Sequence, residues 1–445
     1  MILTGFLPFF LLMFIYASCG ANRWARMMGV ACFFQAASPL LIVGGGRVSG
    51  IAPAFGIVFL GLWHVFGALY ARALHAGQRH ERSMATVMLA VLVAIGVVGA
   101  ILLPRALHGV VHVLPPREGL DSGFTVPLRP SGTNIIQAFY LCCVFVIFAT
   151  TRFLISEGIV KREAVVQGIA IGAALSVLIG FYQVIGYRYG LPWPGWIINS
   201  NFGIAQLQEQ TALGMKRMSA TFLEPSQMSM HFLGAFGLLA LGLQMRTLGF
   251  LLLSALLVST SSTAYFGLIG LLAVWTAMDL PRRASKVWPL LVLIVIGVSI
   301  AFLLDHFLAH GRFSEQLLFH KFQGGSGVSR LNADSLALRS FAESFGLGAG
   351  LGSARASSLP ASLLATVGLP GFVVFAIFAW LVVVPVLKSQ DELDRALFFG
   401  LAGVGLGWLI AVPDLNFPLF WLMAATACAR PAPEPSRSIS LGVVR

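Results

Sequence analysis

Two small clusters of ionisable residues interrupt a chain that is otherwise poor in charge. In the first, Lys216 and Arg217 come a few residues before the carboxylate of Glu224, and Pro225 and Ser226 then lead straight into an apolar run. Proline in a first helical turn with Glu before it suits a helix start, where negative charge meets unpaired N–H groups. The same residues read equally as a site at a membrane mouth, with cations to hold an anion and a carboxylate to activate or orient a hydroxyl. The second cluster is Arg330, Asp334 and Arg339. Leu331 to Phe345 reads as a short helix that Arg330 starts, with Leu331, Leu338, Phe341 and Phe345 on one face and Asp334 and Arg339 flanking its polar side. Glycines 346, 348, 350 and 352 follow; such a turn can approach a phosphate, but it matches neither a Walker motif nor a dinucleotide fingerprint.

The remaining candidates weigh less. His306 and His310, beside Asp305, have an i, i+4 metal-ligand spacing, but they sit where a span enters a loop and read as interfacial. His231 lies inside an apolar run and reads as a packed or hydrogen-bonded core residue. All five cysteines fall within apolar runs, which excludes a disulfide framework or a CxxC metal site. No metal and no cofactor is expected.

Elements that cross a membrane must position these clusters. Hydrophobic residues make up 58% of the 445 positions and charged residues 10%, with a mean hydropathy of +0.87. A soluble chain of this length needs more polar surface, so the apolar surplus faces lipid. Barrel-type alternation is absent, so the spans are helical. Spans are predicted near 2–18, 27–43, 51–71, 84–103, 133–155, 164–187 and 227–245. The stretch 247–278 exceeds one span and is broken by Ser259-Thr260-Ser261-Ser262-Thr263, giving two short helices or one broken helix. Further spans are predicted near 287–304, 360–387, 396–412 and 416–429. The fold class is therefore an all-α polytopic membrane protein of about 12–14 helices, a single transmembrane domain over 1–430.

Of the 29 Lys and Arg residues, seventeen fall on the side of the short loops and the C-terminal tail, which marks that side as cytoplasmic. Residues 431–445 form a short Pro- and Ser-rich cytoplasmic tail. The long loops 104–130, 188–226 and 305–359 share the other side. The first run lacks a basic start and a clean cleavage site, so it reads as a retained helix.

RMSATFLEPSQMS, the polar break STSSTAYFGLIG and then SGVSR, GLGAGLGS and LLATVGLPG occur in that order between spans. Over about residues 165–385 the chain resembles the bacterial O-antigen ligase/polymerase family, which includes the Wzy-type polysaccharide polymerases. The resemblance implies a GT-C-like, metal-independent glycosyltransferase with large periplasmic loops in the bacterial inner membrane. It implies a donor and an acceptor linked to polyprenyl pyrophosphate, undecaprenol being the expected lipid, within the bilayer and with no nucleic acid. A chain-length regulator is a further partner it admits. By position, Arg217 and Arg330 are the expected pyrophosphate ligands, with Arg339 and Lys216 as further cations. Glu224 is the expected group for acceptor activation, and Asp334 the second choice. The ligases carry a His-Asn-like pair about a dozen residues before the Gly-hydrophobic-x-Gly at Gly368–Gly371, whereas this chain has Ser357-Ser358. Serine is no imidazole base, so polymerisation of repeat units is the expected reaction, with ligase-type transfer as the variant. A lipid-linked oligosaccharide flippase shares the span count, but it should show matching broken halves and charge within its spans, and neither is present.

Overall fold

In hydrocarbon a backbone has only itself to bond with, and the long apolar runs accordingly fold as helices. The computed structural model describes residues 1–44, 47–74, 83–115, 124–202, 211–212, 215–278 and 326–429. Helices α1 (Leu7–Ser18), α2 (Ala21–Ala31), α3 (Pro53–Leu74), α4 (Met84–Ala106), α5 (Gly132–Ser156) and α6 (Arg162–Tyr189) make up the first half. Next comes α7 (Pro225–Phe236), which runs into a π-helical turn (Gly237–Gly242), followed by α8 (Arg246–Val258) and α9 (Ser262–Met278). The last part holds α10 (Ser326–Glu343), α11 (Leu359–Lys388), α12 (Glu392–Ile410) and α13 (Pro418–Cys428). Six of the described helices, α3 to α6 with α11 and α12, are long and apolar enough to cross a bilayer. The chain is thus an all-α, multi-pass membrane protein.

Several expected spans take a different form. Of the 12–14 expected, the described residues hold those six and four shorter apolar helices, α1, α8, α9 and α13. No span forms over 27–43. Helix α2 ends at Ala31, and Leu40–Gly44 instead pairs antiparallel with Arg47–Gly50 and with Ile2–Leu3. Pro39 keeps the helix from resuming, because it pushes Ser38 out of the helical region, and Ile42 and Val43 beyond it suit a strand. The broken stretch 247–278 resolves as two short helices, tied across the break by the Tyr265 hydroxyl donating to the Leu257 carbonyl at 2.8 Å. The loop helix begins at Ser326, earlier than expected, so Arg330 lies inside it. The span at 287–304, His306, His310 and the tail 431–445 lie outside the described residues.

Close helix crossings set the frame. Gly168 and Gly172 of α6 form a Gly-x-x-x-Gly face against α2. A Cβ on Gly168 would lie 2.1 Å from the Arg26 carbonyl oxygen, and one on Gly172 would lie 2.8 Å from the Val30 Cα. Where α6 and α12 begin, Arg162 donates to Asp391 at 3.0 Å and also pairs with the buried Asp394. That ion cluster fastens one end of the bundle. The candidate site occupies the other.

Candidate functional site

Residues 217–224 form a strap held by polar side chains of α6. Gln183 Oε1 accepts from the backbone N–H groups of Ser219 at 2.9 Å and Ala220 at 3.0 Å. The Ser176 and Thr221 hydroxyls meet at 2.7 Å, and Thr221 also donates to the Phe33 carbonyl. The strap turns at Ala220, whose φ of 51° lies in the left-handed region. It delivers Arg217 at one end and Glu224 at the other.

Glu224 is the N-cap residue of α7, yet its side chain bonds to no N–H of the helix. Its Oε1 accepts instead from the Ser226 hydroxyl, and the carboxylate lines a cavity of about 290 Å³. Of the two sequence readings, the cap is thus filled by position only, and the charge turns toward the cavity.

The polar break between α8 and α9 is the platform for both arginines. Arg217 Nε donates to Thr260 Oγ1 at 3.2 Å and its Nη2 donates to the Thr260 carbonyl at 3.3 Å. Arg330 Nη1 donates to Ser262 Oγ at 3.1 Å. Thr260 has φ 50°, so the backbone turns where its carbonyl is presented. Two neighbouring hydroxyls in the break therefore aim cations that lie far apart in the chain. Burial pushes both guanidinium groups below their ordinary range, and the nearby Glu224 carboxylate opposes that shift. Arg330 adds its own repulsion at Arg217. Two guanidinium groups and one carboxylate leave the cluster with a net positive charge, which a further anion would offset.

The cavity gathers residues from five segments: Thr133 and Gln137 of α5, Glu224 and Ser226, Arg330 of α10, the 351–357 turn with the start of α11, and the turn 411–416. Arg355, Asp414 and Asn416 line it as well. Arg355 falls within the predicted loop 305–359, and the only signal of Asp414 in the sequence is a lone carboxylate between two apolar runs. Burial raises the Asp414 carboxyl above its ordinary range, partly offset by the Asn416 N–H that its Oδ1 accepts at 3.0 Å. The Asn416 side chain in turn bonds to Gln137.

The glycine-rich turn proves to be a packing device. Gly350 and Gly352 have φ of 89° and 76°, and a Cβ on them would lie 2.8 Å from the Gly99 carbonyl oxygen and 2.6 Å from that of Thr133. Glycine lets the turn thread between α4 and α5 and form a wall of the cavity.

The other predicted residues stand apart from the cavity lining. Asp334 Oδ1 accepts from the backbone N–H of Ser357 at 2.6 Å and of Ser358 at 3.0 Å, holding the start of α11. Arg339 is exposed and pairs with Glu343 at 2.9 Å, one turn along α10. The Lys216 ammonium sits 5.7 Å from the centre of the Tyr187 ring. His231 is fully buried; its Nδ1 lies 2.9 Å from the Gln227 carbonyl, with the Phe222 and Phe417 rings at 4.6 and 5.2 Å.

The arrangement can hold a phosphorylated amphiphile by its head, with cations at one wall and two carboxylates within reach of a hydroxyl. Comparison with known protein families finds no match, and comparison with curated proteins finds none either.

Proposed function

We propose that the chain is a membrane glycosyltransferase, a polymerase of undecaprenyl-pyrophosphate-linked oligosaccharide repeat units at the periplasmic face of the bacterial inner membrane. The observation that carries this reading is the convergence of Glu224 and Arg330, from two distant motifs, on one cavity at the ends of several helices. Arg217, held by the same polar break as Arg330, adds positive potential there.

In this reading the acceptor hydroxyl oxygen attacks the anomeric carbon of the donor sugar. The carbon–oxygen bond to pyrophosphate breaks, and its electron pair leaves on the phosphate oxygen. Arg330, with Arg355 on the same cavity, stabilises that growing charge, since a guanidinium grips phosphate oxygens in bidentate fashion. The hydroxyl proton passes to a carboxylate, Glu224 being the better placed because it is offered at the helix mouth beside Arg330. Asp414 lines the same cavity with its carboxyl raised above the ordinary range by burial, and it is the second carboxyl placed to meet a sugar hydroxyl. The GT-C-like character and the periplasmic placement rest on the motif resemblance and the distribution of basic residues.

The test is genetic and chemical together. Arg330→Ala and Arg217→Ala should abolish long-chain polysaccharide while membrane levels of the protein stay unchanged, and single lipid-linked repeat units should accumulate. Full-length polymer from both variants would remove the pyrophosphate role. Accumulation of finished polymer on its carrier in a deletion strain would instead indicate transfer to a different acceptor.

A further inference from the structure

Helix α10 carries two seams that face opposite ways. Arg330, Ala333, Ala337, Ser340 and Ser344 recur at spacings of three and four; the four after Arg330 are buried against the protein, and Arg330 reaches the cavity. Nearly opposite, Val328, Leu331 and Leu338, three and seven residues apart, are 53%, 75% and 46% exposed, and Phe345, two residues past the helix end, is 82% exposed. A water-soluble helix turns its apolar seam inward. Here the inward seam is made of small residues and a cation, and the large apolar residues point out.

The outer seam does not end at the helix. Gly346, next to Phe345, accepts from the backbone N–H of Leu369 at 2.9 Å, at the kink of α11. From there Leu369, Val373, Ile377 and Trp380 form an exposed stripe along α11, a helix long and apolar enough to cross the bilayer. An apolar path therefore runs up the lipid-facing side of α11 and on along α10, and the same helix offers Arg330 to the cavity on its other side.

We infer that the outer seam of α10 is a docking track for the hydrocarbon chain of a polyprenyl diphosphate, which it guides so that the diphosphate reaches Arg330. The inference deepens the proposed function and rests on it for the identity of both the lipid and the sugar. Two features on one helix fit one occupant. The seam is continuous with a surface that faces hydrocarbon, and the cations at its far side suit a head group that is anionic and carried by that hydrocarbon. A bulk phospholipid would have no need of the buried cations. A second copy of the chain would need a counterpart for the cavity.

The experiment uses the full chain in lipid nanodiscs with a long-chain polyprenyl diphosphate carrying a photoactivatable isoprenoid. Cross-links should map to α10 between Val328 and Phe345, and unlabelled polyprenyl diphosphate should compete them away while excess phosphatidylglycerol does not. Leu331→Ser, at a largely exposed position where folding is little affected, combined with Leu338→Ser should cut the cross-linking yield about tenfold. Absence of α10 cross-links, competition by phosphatidylglycerol alone, or cross-links between two copies would overturn the docking track. In a transfer assay the same double variant should raise KM for a long-chain donor about tenfold and leave KM for a short, water-soluble prenyl donor unchanged. An equal rise for both chain lengths would also overturn it. Intact cross-linking with no sugar transfer by the wild-type chain would defeat the glycosyltransferase reading and leave the lipid track standing.

Discussion

Arg330 donates to Ser262 at 3.1 Å, so a cation on a loop helix is aimed by a hydroxyl in the break of a distant helix pair. With Arg217 bonded to Thr260 two positions earlier, the break works as a bracket for both guanidinium groups. Arg330 lines the cavity, and Arg217 is held beside it on the same bracket.

The bracket predicts that charge is not enough. Arg330→Lys keeps the cation but loses the planar fork that can hold Ser262 and phosphate at once. Transfer rate from purified lipid-linked donor should fall roughly 10- to 100-fold, about 1.4–3 kcal/mol of transition-state stabilisation. A wild-type rate in Arg330→Lys would show that geometry at this position is irrelevant.

Removing the hydroxyl beneath should be milder. Ser262→Ala leaves Arg330 in place but unaimed, a loss on the order of 0.5–1.5 kcal/mol and a rate lower by about 2- to 10-fold. The Arg330→Ala, Ser262→Ala double variant should be no worse than Arg330→Ala, because the hydroxyl acts through the arginine. Additive losses in that cycle would place Ser262 on a separate path.

Glu224 separates chemistry from capping. Since its side chain bonds to no helix N–H, Glu224→Gln should leave the thermal midpoint unchanged and lower the transfer rate by about 10²- to 10⁴-fold. The opposite pattern holds at Asp334, which accepts two backbone N–H bonds at the start of α11. Asp334→Ala should cost about 1–2 kcal/mol of stability and Asp334→Asn much less, with activity following the folded fraction. Wild-type stability combined with lost transfer in Asp334→Ala would return Asp334 to the chemistry.

Asp414 supplies the pH dependence. Its carboxyl is raised in the folded protein, so the stability it contributes is fully present below its unfolded value of about 4 and is lost as pH rises through its folded value. Asp414→Asn keeps an oxygen for the Asn416 N–H and removes the ionisation. Thermal midpoints measured across pH 4–8 should show a downward component in the wild type that the variant lacks. Parallel curves would rule out Asp414 as its source.

Much of the helical framework could be read from hydropathy, because the long runs at α3 to α6, α11 and α12 have no other way to satisfy their backbone. Where a run was short, hydropathy misled. The run 27–43 reads as apolar enough for a span, but Pro39 within it and the glycines after it leave Leu40–Gly44 as a strand, which hydropathy does not register. Arg217 and Glu224 could be paired from sequence because one short strap joins them. Arg330 joins them in the sequence only through the motif resemblance, because its approach depends on a hydroxyl 68 positions earlier in the chain. Asp414 was missed for a related reason: its neighbours Gln137 and Asn416 are unremarkable until α5 and the 411–416 turn meet across the cavity.

The threaded turn at Gly350 and Gly352 divides the cavity wall into two kinds of surface. One part has no room for even a methyl group, so it cannot be tuned by substitution without moving α4 or α5. The other is built from side chains of helices, Thr133, Gln137, Ser362 and Thr366, which can be exchanged without touching the backbone. Substitutions that reshape the cavity without moving the backbone are therefore available at that second part and closed at the glycines.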